Sequence, residues 1–139
     1  MKLKIRYVGL DVHKDSIAVA VADAGNAPAE LLRTLPNDFG ALAKCLDRLG
    51  SRKQLVVCYE AGPTGYDLAR RLLDAGIRCT VVAPSLVPRD GRRIKTDRRD
   101  ARKLAHFLRS GDLTAVTVPD PSLPSTNGTS PRYGGRPSR

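Results

Sequence analysis

Four carboxylates in this chain have the types and spacing of a divalent-cation site. Asp11 ends a first apolar run, directly after Gly9-Leu10, and Glu60 ends a later one, directly after Cys58-Tyr59. If the two runs are parallel neighbours in a sheet, both acids emerge at its C-terminal edge, where open α/β sheets place their ligand sites. Further along, Ala101, Leu104, Ala105 and Leu108 mark the buried stripe of a helix, and Asp97 and Asp100 stand four residues before Ala101 and Leu104. Each acid alone has an ordinary explanation: polar residues end strands, and Asp in a first helical turn gains about 0.3–1 kcal/mol from the helix dipole. Two of them continuing an inward stripe is costly unless something positive meets them. Oxygen-only ligation selects a hard cation, Mg²⁺ or Mn²⁺. Two such ions about 3.5–4 Å apart activate the attacking oxygen and stabilise the leaving one in phosphodiester cleavage. The expected metal-binding and catalytic set is therefore Asp11, Glu60, Asp97 and Asp100.

The charge distribution supports a polyanionic partner. The chain carries 24 Lys+Arg against 14 Asp+Glu, a formal net charge of +10. More than half of that excess lies in residues 89–109, which hold nine basic and three acidic side chains. Such clustering is the footprint of phosphate neutralisation, against the plainer reading of a solvated basic surface. Arg92, Arg93, Lys95, Arg98, Arg99 and Arg102 are the expected nucleic-acid contacts, on the flanks and solvent face of the third helix and in the connection before it. They are expected to touch phosphate and not base edges, giving affinity without sequence choice.

Length and composition limit what must position these groups. At 139 residues and 41% hydrophobic, the chain is of one-domain size. No stretch approaches the ~18 apolar residues of a membrane span, and no apolar segment follows the basic start, so a cytoplasmic protein is expected. Cys45, Cys58 and Cys79 have neither C-x-x-C spacing nor a nearby histidine pair, and are expected to be reduced and mostly buried.

The pattern predicts strands over 5–10, 16–22 and 30–35, the first two joined as a hairpin through Asp11 to Asp15. A helix capped by Asn37 follows, with Phe39, Leu42, Ala43 and Leu46 on one face and Gly50 as its stop. The continuous apolar run Leu55 to Tyr59 predicts a strand covered on both faces. A second helix has Ala69, Leu72 and Leu73 inward, and Ile77 to Ala83 is a further buried strand. Pro84 to Lys95 reads as a basic connection, and a third helix runs from about Thr96 to Ser110. This order predicts an α/β ribonuclease H-like fold: a three-stranded antiparallel meander plus two parallel strands, flanked by helices. Flavodoxin-like and actin-like folds share enough of the order that the acids must decide. Residues 1–118 form the expected domain, and the Pro/Ser/Gly-rich 119–139 an expected disordered tail.

Three blocks then resemble a known family: Tyr7-Val8-Gly9-Leu10-Asp11-Val12-His13-Lys14, Tyr59-Glu60-Ala61-Gly62-Pro63-Thr64-Gly65-Tyr66 and Lys95-Thr96-Asp97-Arg98-Arg99-Asp100-Ala101. Together they resemble the N-terminal domain of the DEDD transposases of the IS110 insertion-sequence family, over about residues 4–118. The resemblance implies a Holliday-junction-resolvase-like fold, metal-dependent DNA strand transfer and the same four acids at Asp11, Glu60, Asp97 and Asp100. It also implies a structured guide RNA encoded by the element. Members of the family continue into a second domain bearing a nucleophilic serine, which the tail does not resemble, so a truncated copy is expected.

Two other readings stand beside a truncated catalytic domain. One is a DNA- or RNA-binding fragment without chemistry. The other is an actin-like ATPase half, which lacks the Gly-rich phosphate loop that Val12-His13-Lys14-Asp15 replaces. Assembly into a homo-oligomer is allowed by the sequence. His13 lies two residues after Asp11 and is expected at the surface, as is His106; Tyr66 is expected to pack.

Overall fold

Apolar residues at every second position give the first strands two unlike faces, and the helices cover both. The computed structural model describes residues 4–62, 65–89, 93–97 and 99–116, with residues 85–89 and 93–97 described by their main chain. The expected tail, Arg92 and Arg98 lie outside the described residues, as do the side chains of Arg93, Lys95 and Asp97.

The strands β1 (Arg6–Val12), β2 (Ser16–Asp23) and β3 (Glu30–Pro36) form the expected antiparallel meander. After α1 (Phe39–Leu49) and a short 3₁₀ turn, β4 (Leu55–Glu60) pairs parallel to β1, with Leu10 opposite Tyr59. Helix α2 (Asp67–Asp74) then returns the chain to β5 (Arg78–Val82), parallel to β4. The described residues close this sheet with β8 (Ala115–Val116), in the order β3-β2-β1-β4-β5-β8. A mixed sheet in which β2 alone separates β1 from the meander's edge, with helices on both faces, is the ribonuclease H-like arrangement.

One face carries the larger core. Val8, Leu10, Ile17, Leu55, Val57 and Tyr59 pack there with Leu42 and Leu46 of α1 and Leu72 of α2. Leu73 departs from the expected inward face: it is 47% exposed, because only Ala69 and Leu72 of α2 are turned fully onto the sheet. The cap of α1 is also one residue later than expected. Asp38, not Asn37, accepts the amide of Ala41 at 2.9 Å, while the Asn37 side chain donates to the His13 carbonyl at 2.7 Å and so ties down the β1–β2 turn.

The other face is built from small residues. Ala20 and Ala22 of β2 meet Ala101 and Ala105 of α3 (Ala101–Ser110), and Cys58 and Val82 meet Leu104. Gly9 makes this close approach possible. A Cβ there would collide with the Ala101 carbonyl oxygen and stand 2.6 Å from the Ala105 nitrogen and 2.9 Å from the Leu104 Cβ. The end of α3 follows from Gly111, whose left-handed backbone (φ 80°) lets its amide reach back to the Leu108 and Phe107 carbonyls.

The segment before α3 corrects two expectations. Pro84 to Lys95 is not a plain connection: β6 (Ser85–Arg89) and β7 (Arg93–Asp97) pair as an antiparallel hairpin, with Ser85 opposite Asp97. The third helix begins at Ala101 and not at Thr96, so Asp97 ends a strand and Asp100 is the helix cap.

Candidate functional site

The faces of β1 and β4 settle where the first two acids stand. Side chains alternate along a strand, and Val8 and Leu10 belong to the larger core while Gly9 backs onto α3, so Asp11 shares the α3 side. In β4, Val57 and Tyr59 belong to the larger core and Cys58 meets Leu104, so Glu60 also lies on the α3 side. Each acid follows directly on the last paired residues of the two parallel strands, Leu10 and Tyr59. Asp11 and Glu60 therefore occupy one face at one edge of the sheet, as the sequence predicts.

The N-terminal end of α3 meets them there. Glu60 is the buried charged residue among the described residues, its side chain 4% exposed. Its Oε1 accepts the main-chain amide of Arg99 at 3.2 Å, and its Oε2 accepts the Arg99 guanidinium at 2.9 Å. The same guanidinium nitrogen donates to the Ala83 carbonyl just past β5, at 3.3 Å. Arg99 thus ties the ends of β4 and β5 to the leader of α3. This corrects its expected place among the solvent-facing phosphate contacts, since its side chain is only 15% exposed. A buried carboxylate demands a cation, and the nearest available one is drawn inward.

Asp11 is more open, its side chain 20% exposed, and the His13 Nε2 stands 3.1 Å from its Oδ2. His13 is half exposed, at the surface as expected, yet it contacts the carboxylate two residues before it on the same strand side. Sequence spacing showed the shared side but not the contact, which depends on the β1–β2 turn.

Asp100 is exposed, and its Oδ1 accepts the Lys103 amide at 2.9 Å. Its carboxylate therefore caps α3, and does not extend the inward stripe, because the helix axis begins one residue beyond it. Asp97 closes β7 three residues earlier, its side chain outside the described residues. The described residues thus bring Asp11 and Glu60 to one face at one sheet edge, with the main chain of the α3 leader at Arg99 against Glu60.

Around them the thiols are inert. Burial pushes the Cys58 thiol up to about 12, and the Cys79 thiol likewise to about 12, so both stay protonated near neutrality. The Tyr59 hydroxyl donates to the Gly65 carbonyl at 2.9 Å and accepts the Ala69 amide at 3.2 Å, holding the loop after Glu60 against the start of α2. Tyr66 packs against the larger core, as expected.

The donor set can be compared with the requirements of a hard divalent cation. In chemistry it fits: every candidate ligand atom is a carboxylate oxygen. In arrangement, Glu60 has both oxygens engaged by Arg99, and no group of three His, Cys, Asp or Glu side chains is gathered closely enough among the described residues. Asp11 and Glu60 are the carboxylates on this face that could hold a cation.

The exposed side of α3 continues the basic surface. Arg102 and Lys103 are exposed and line a groove of about 460 Å³ against the β2–β3 loop, together with Asp100, His106 and Arg109. Arg109 fixes that loop by donating to the carbonyls of Asp23 at 2.9 Å and Ala27 at 2.7 Å. Arg102 therefore stands where expected. His106 is exposed, with Nδ1 3.4 Å from Arg109.

Comparison with known proteins decides the family. A DEDD transposase family model of the IS110 type, described as a transposase, matches residues 8–124, the greater part of the chain. The chain belongs to the DEDD transposases. Among relatives in this family, a putative transposase, y4qE, of Sinorhizobium fredii is 44% identical over 117 residues, covering 82% of this chain and 30% of the relative. The transposase for insertion sequence element IS1533 of Leptospira borgpetersenii is 38% identical over 112 residues, covering 79% of this chain and 32% of the relative. The chain thus spans about a third of the length of these two transposases. Family membership implies a divalent-metal requirement, and no helix among the described residues is long and apolar enough to cross a membrane.

Proposed function

We propose that these residues form the cation-binding catalytic domain of an insertion-sequence transposase acting on DNA during transposition. The observation that carries this reading is the placement of Asp11 and Glu60 on one face, at the C-terminal ends of adjacent parallel strands, beside the leader that bears Asp97 and Asp100. Those four residues would hold Mg²⁺ or Mn²⁺, which supplies Lewis-acid polarisation of a phosphodiester when bound. The chain's own part is to gather the carboxylates, to exclude water on the Cys58–Leu104 side, and to hold a DNA backbone over the edge. Arg102 and Lys103 on α3, with Arg93 and Lys95 of the preceding hairpin, are assigned to that backbone, as are Arg92 and Arg98 on the sequence alone. Strand transfer as a whole belongs to the longer protein, with the element-encoded RNA and self-association as further partners under this reading.

A branched or nicked DNA duplex tests it. The chain is expected to cleave such a duplex with Mg²⁺ or Mn²⁺, and Asp11→Asn to lower the rate by about 10³-fold, the loss of roughly 4 kcal/mol of transition-state stabilisation. Cleavage unchanged by Asp11→Asn would remove the assignment. Occupation of Glu60 by Arg99 favours a second reading, a DNA- or RNA-binding domain without chemistry, for which binding without cleavage is the outcome.

The basic surface gives a separate expectation. Replacing Arg102 and Lys103 together by Ala should weaken binding to unrelated DNA sequences equally and reduce the slope of log K against log salt by about 2. Fluorescence anisotropy across a salt series measures it, and a sequence-dependent loss would place these side chains on base edges instead.

A further inference from the structure

Glu60 and Arg99 form a buried charge pair at the sheet edge. Glu60 accepts from the amide and from the guanidinium of one residue, Arg99, and that guanidinium also donates to the Ala83 carbonyl. The side chains are 15% and 4% exposed, so the pair is shielded from the water that weakens surface ion pairs. A divalent cation on Glu60 would stand beside a guanidinium already in contact with the same oxygen. Like charges at that distance in a partly dry site repel strongly. The guanidinium therefore opposes the approach of a cation to Glu60.

We propose that Arg99 is a tethered occupant of the cation site, which holds Glu60 in the metal-free chain and must withdraw before a divalent ion can bind. This rests on the reading of Glu60 as a ligand and adds its regulation. Arg99 sits in the leader of α3, between Asp97, which ends β7, and Asp100, which caps the helix. Its main-chain amide also donates to Glu60, so the tether involves the leader as well as the side chain. A DNA phosphate offers the freed guanidinium a new bidentate partner. Binding of polyanion and binding of cation are then mutually reinforcing, since each removes Arg99 from Glu60 or benefits from its removal.

The chain without nucleic acid allows a test that does not depend on cleavage. Mn²⁺ binding is measured by electron paramagnetic resonance titration for the wild type, Asp11→Asn, Glu60→Gln, Arg99→Gln and the Arg99→Gln/Glu60→Gln double variant, with circular dichroism confirming that each is folded. Arg99→Gln is expected to bind Mn²⁺ about tenfold more tightly than the wild type, and Arg99→Gln combined with Glu60→Gln to lose that gain. Equal or weaker binding by folded Arg99→Gln overturns the proposal. In the wild type, saturating Mg²⁺ should shift the Arg99 side-chain resonance in a ¹⁵N NMR spectrum. An unmoved Arg99 signal at saturation overturns the proposal even if the variants fail to fold. The two ideas fail differently. Binding that is indifferent to both Asp11→Asn and Glu60→Gln removes the cation site itself, and the occupant with it. Binding that needs both acids but ignores Arg99 removes only the occupant.

Discussion

Gly9→Ala is expected to lower stability by about 3 kcal/mol, at the upper end of what overpacking costs, and the melting temperature by roughly 10 °C. The added carbon has nowhere to go. Its contacts would be the Ala101 carbonyl oxygen, the Ala105 nitrogen at 2.6 Å and the Leu104 Cβ at 2.9 Å, two of them main chain of a regular helix. A flexible side chain could swing aside, but a helix backbone must translate as a unit. Translation of α3 away from β1 would open the Ala20–Ala22–Ala101–Ala105 contact and the Cys58–Val82–Leu104 contact together. It would also pull Arg99 from Glu60, because Arg99 lies two residues before the start of the helix. Denaturant unfolding measures the loss. A change under about 0.5 kcal/mol, the range of harmless surface substitutions, would mean that α3 does not press on β1 as described.

Glu60→Ala is expected to cost about 3 kcal/mol in the metal-free chain, because it strands the Arg99 guanidinium in a site shielded from solvent. The lost attraction is the smaller part of that effect; the unpaired cation is the larger. Adding Arg99→Met should therefore recover a large share of the stability, with a coupling of about 1–3 kcal/mol in a double-mutant cycle. Additive losses would show that the two side chains do not act as a pair. By contrast, the exposed pair Arg52–Asp47 should give almost nothing when broken, since water already solvates both partners.

The meander and the two parallel strands are readable because their apolar runs are bounded by turn residues, and the face of a parallel strand pair places Asp11 beside Glu60 without further information. The hairpin β6–β7 is hidden: Pro88 inside one strand and the charged strand ends Arg89 and Arg93 suppress the signal, while the ladder that forms it is main chain. β8 has two residues and no period at all. The start of α3 is misplaced because Asp97 and Asp100 both suit a first turn, and only the contact of Asp100 with the Lys103 amide tells which one caps. Arg99 is the instructive case. Nothing in a run of basic residues marks one of them as inward, since its burial depends on where the ends of β4 and β5 leave an acid and a carbonyl to be met.

Asp11 and Glu60 are proposed as the heart of a divalent-cation site at this sheet edge. Thermal unfolding of the chain across a Mn²⁺ titration, with Asp11→Asn alongside, reads that site. A ligand bound only by the folded state adds about 2.7 kcal/mol at a hundred times its dissociation constant. The wild type should therefore melt several degrees higher as Mn²⁺ rises, and Asp11→Asn, nearly identical in shape, should not respond. An equal rise in the two proteins, or none in either, would remove the site from these residues.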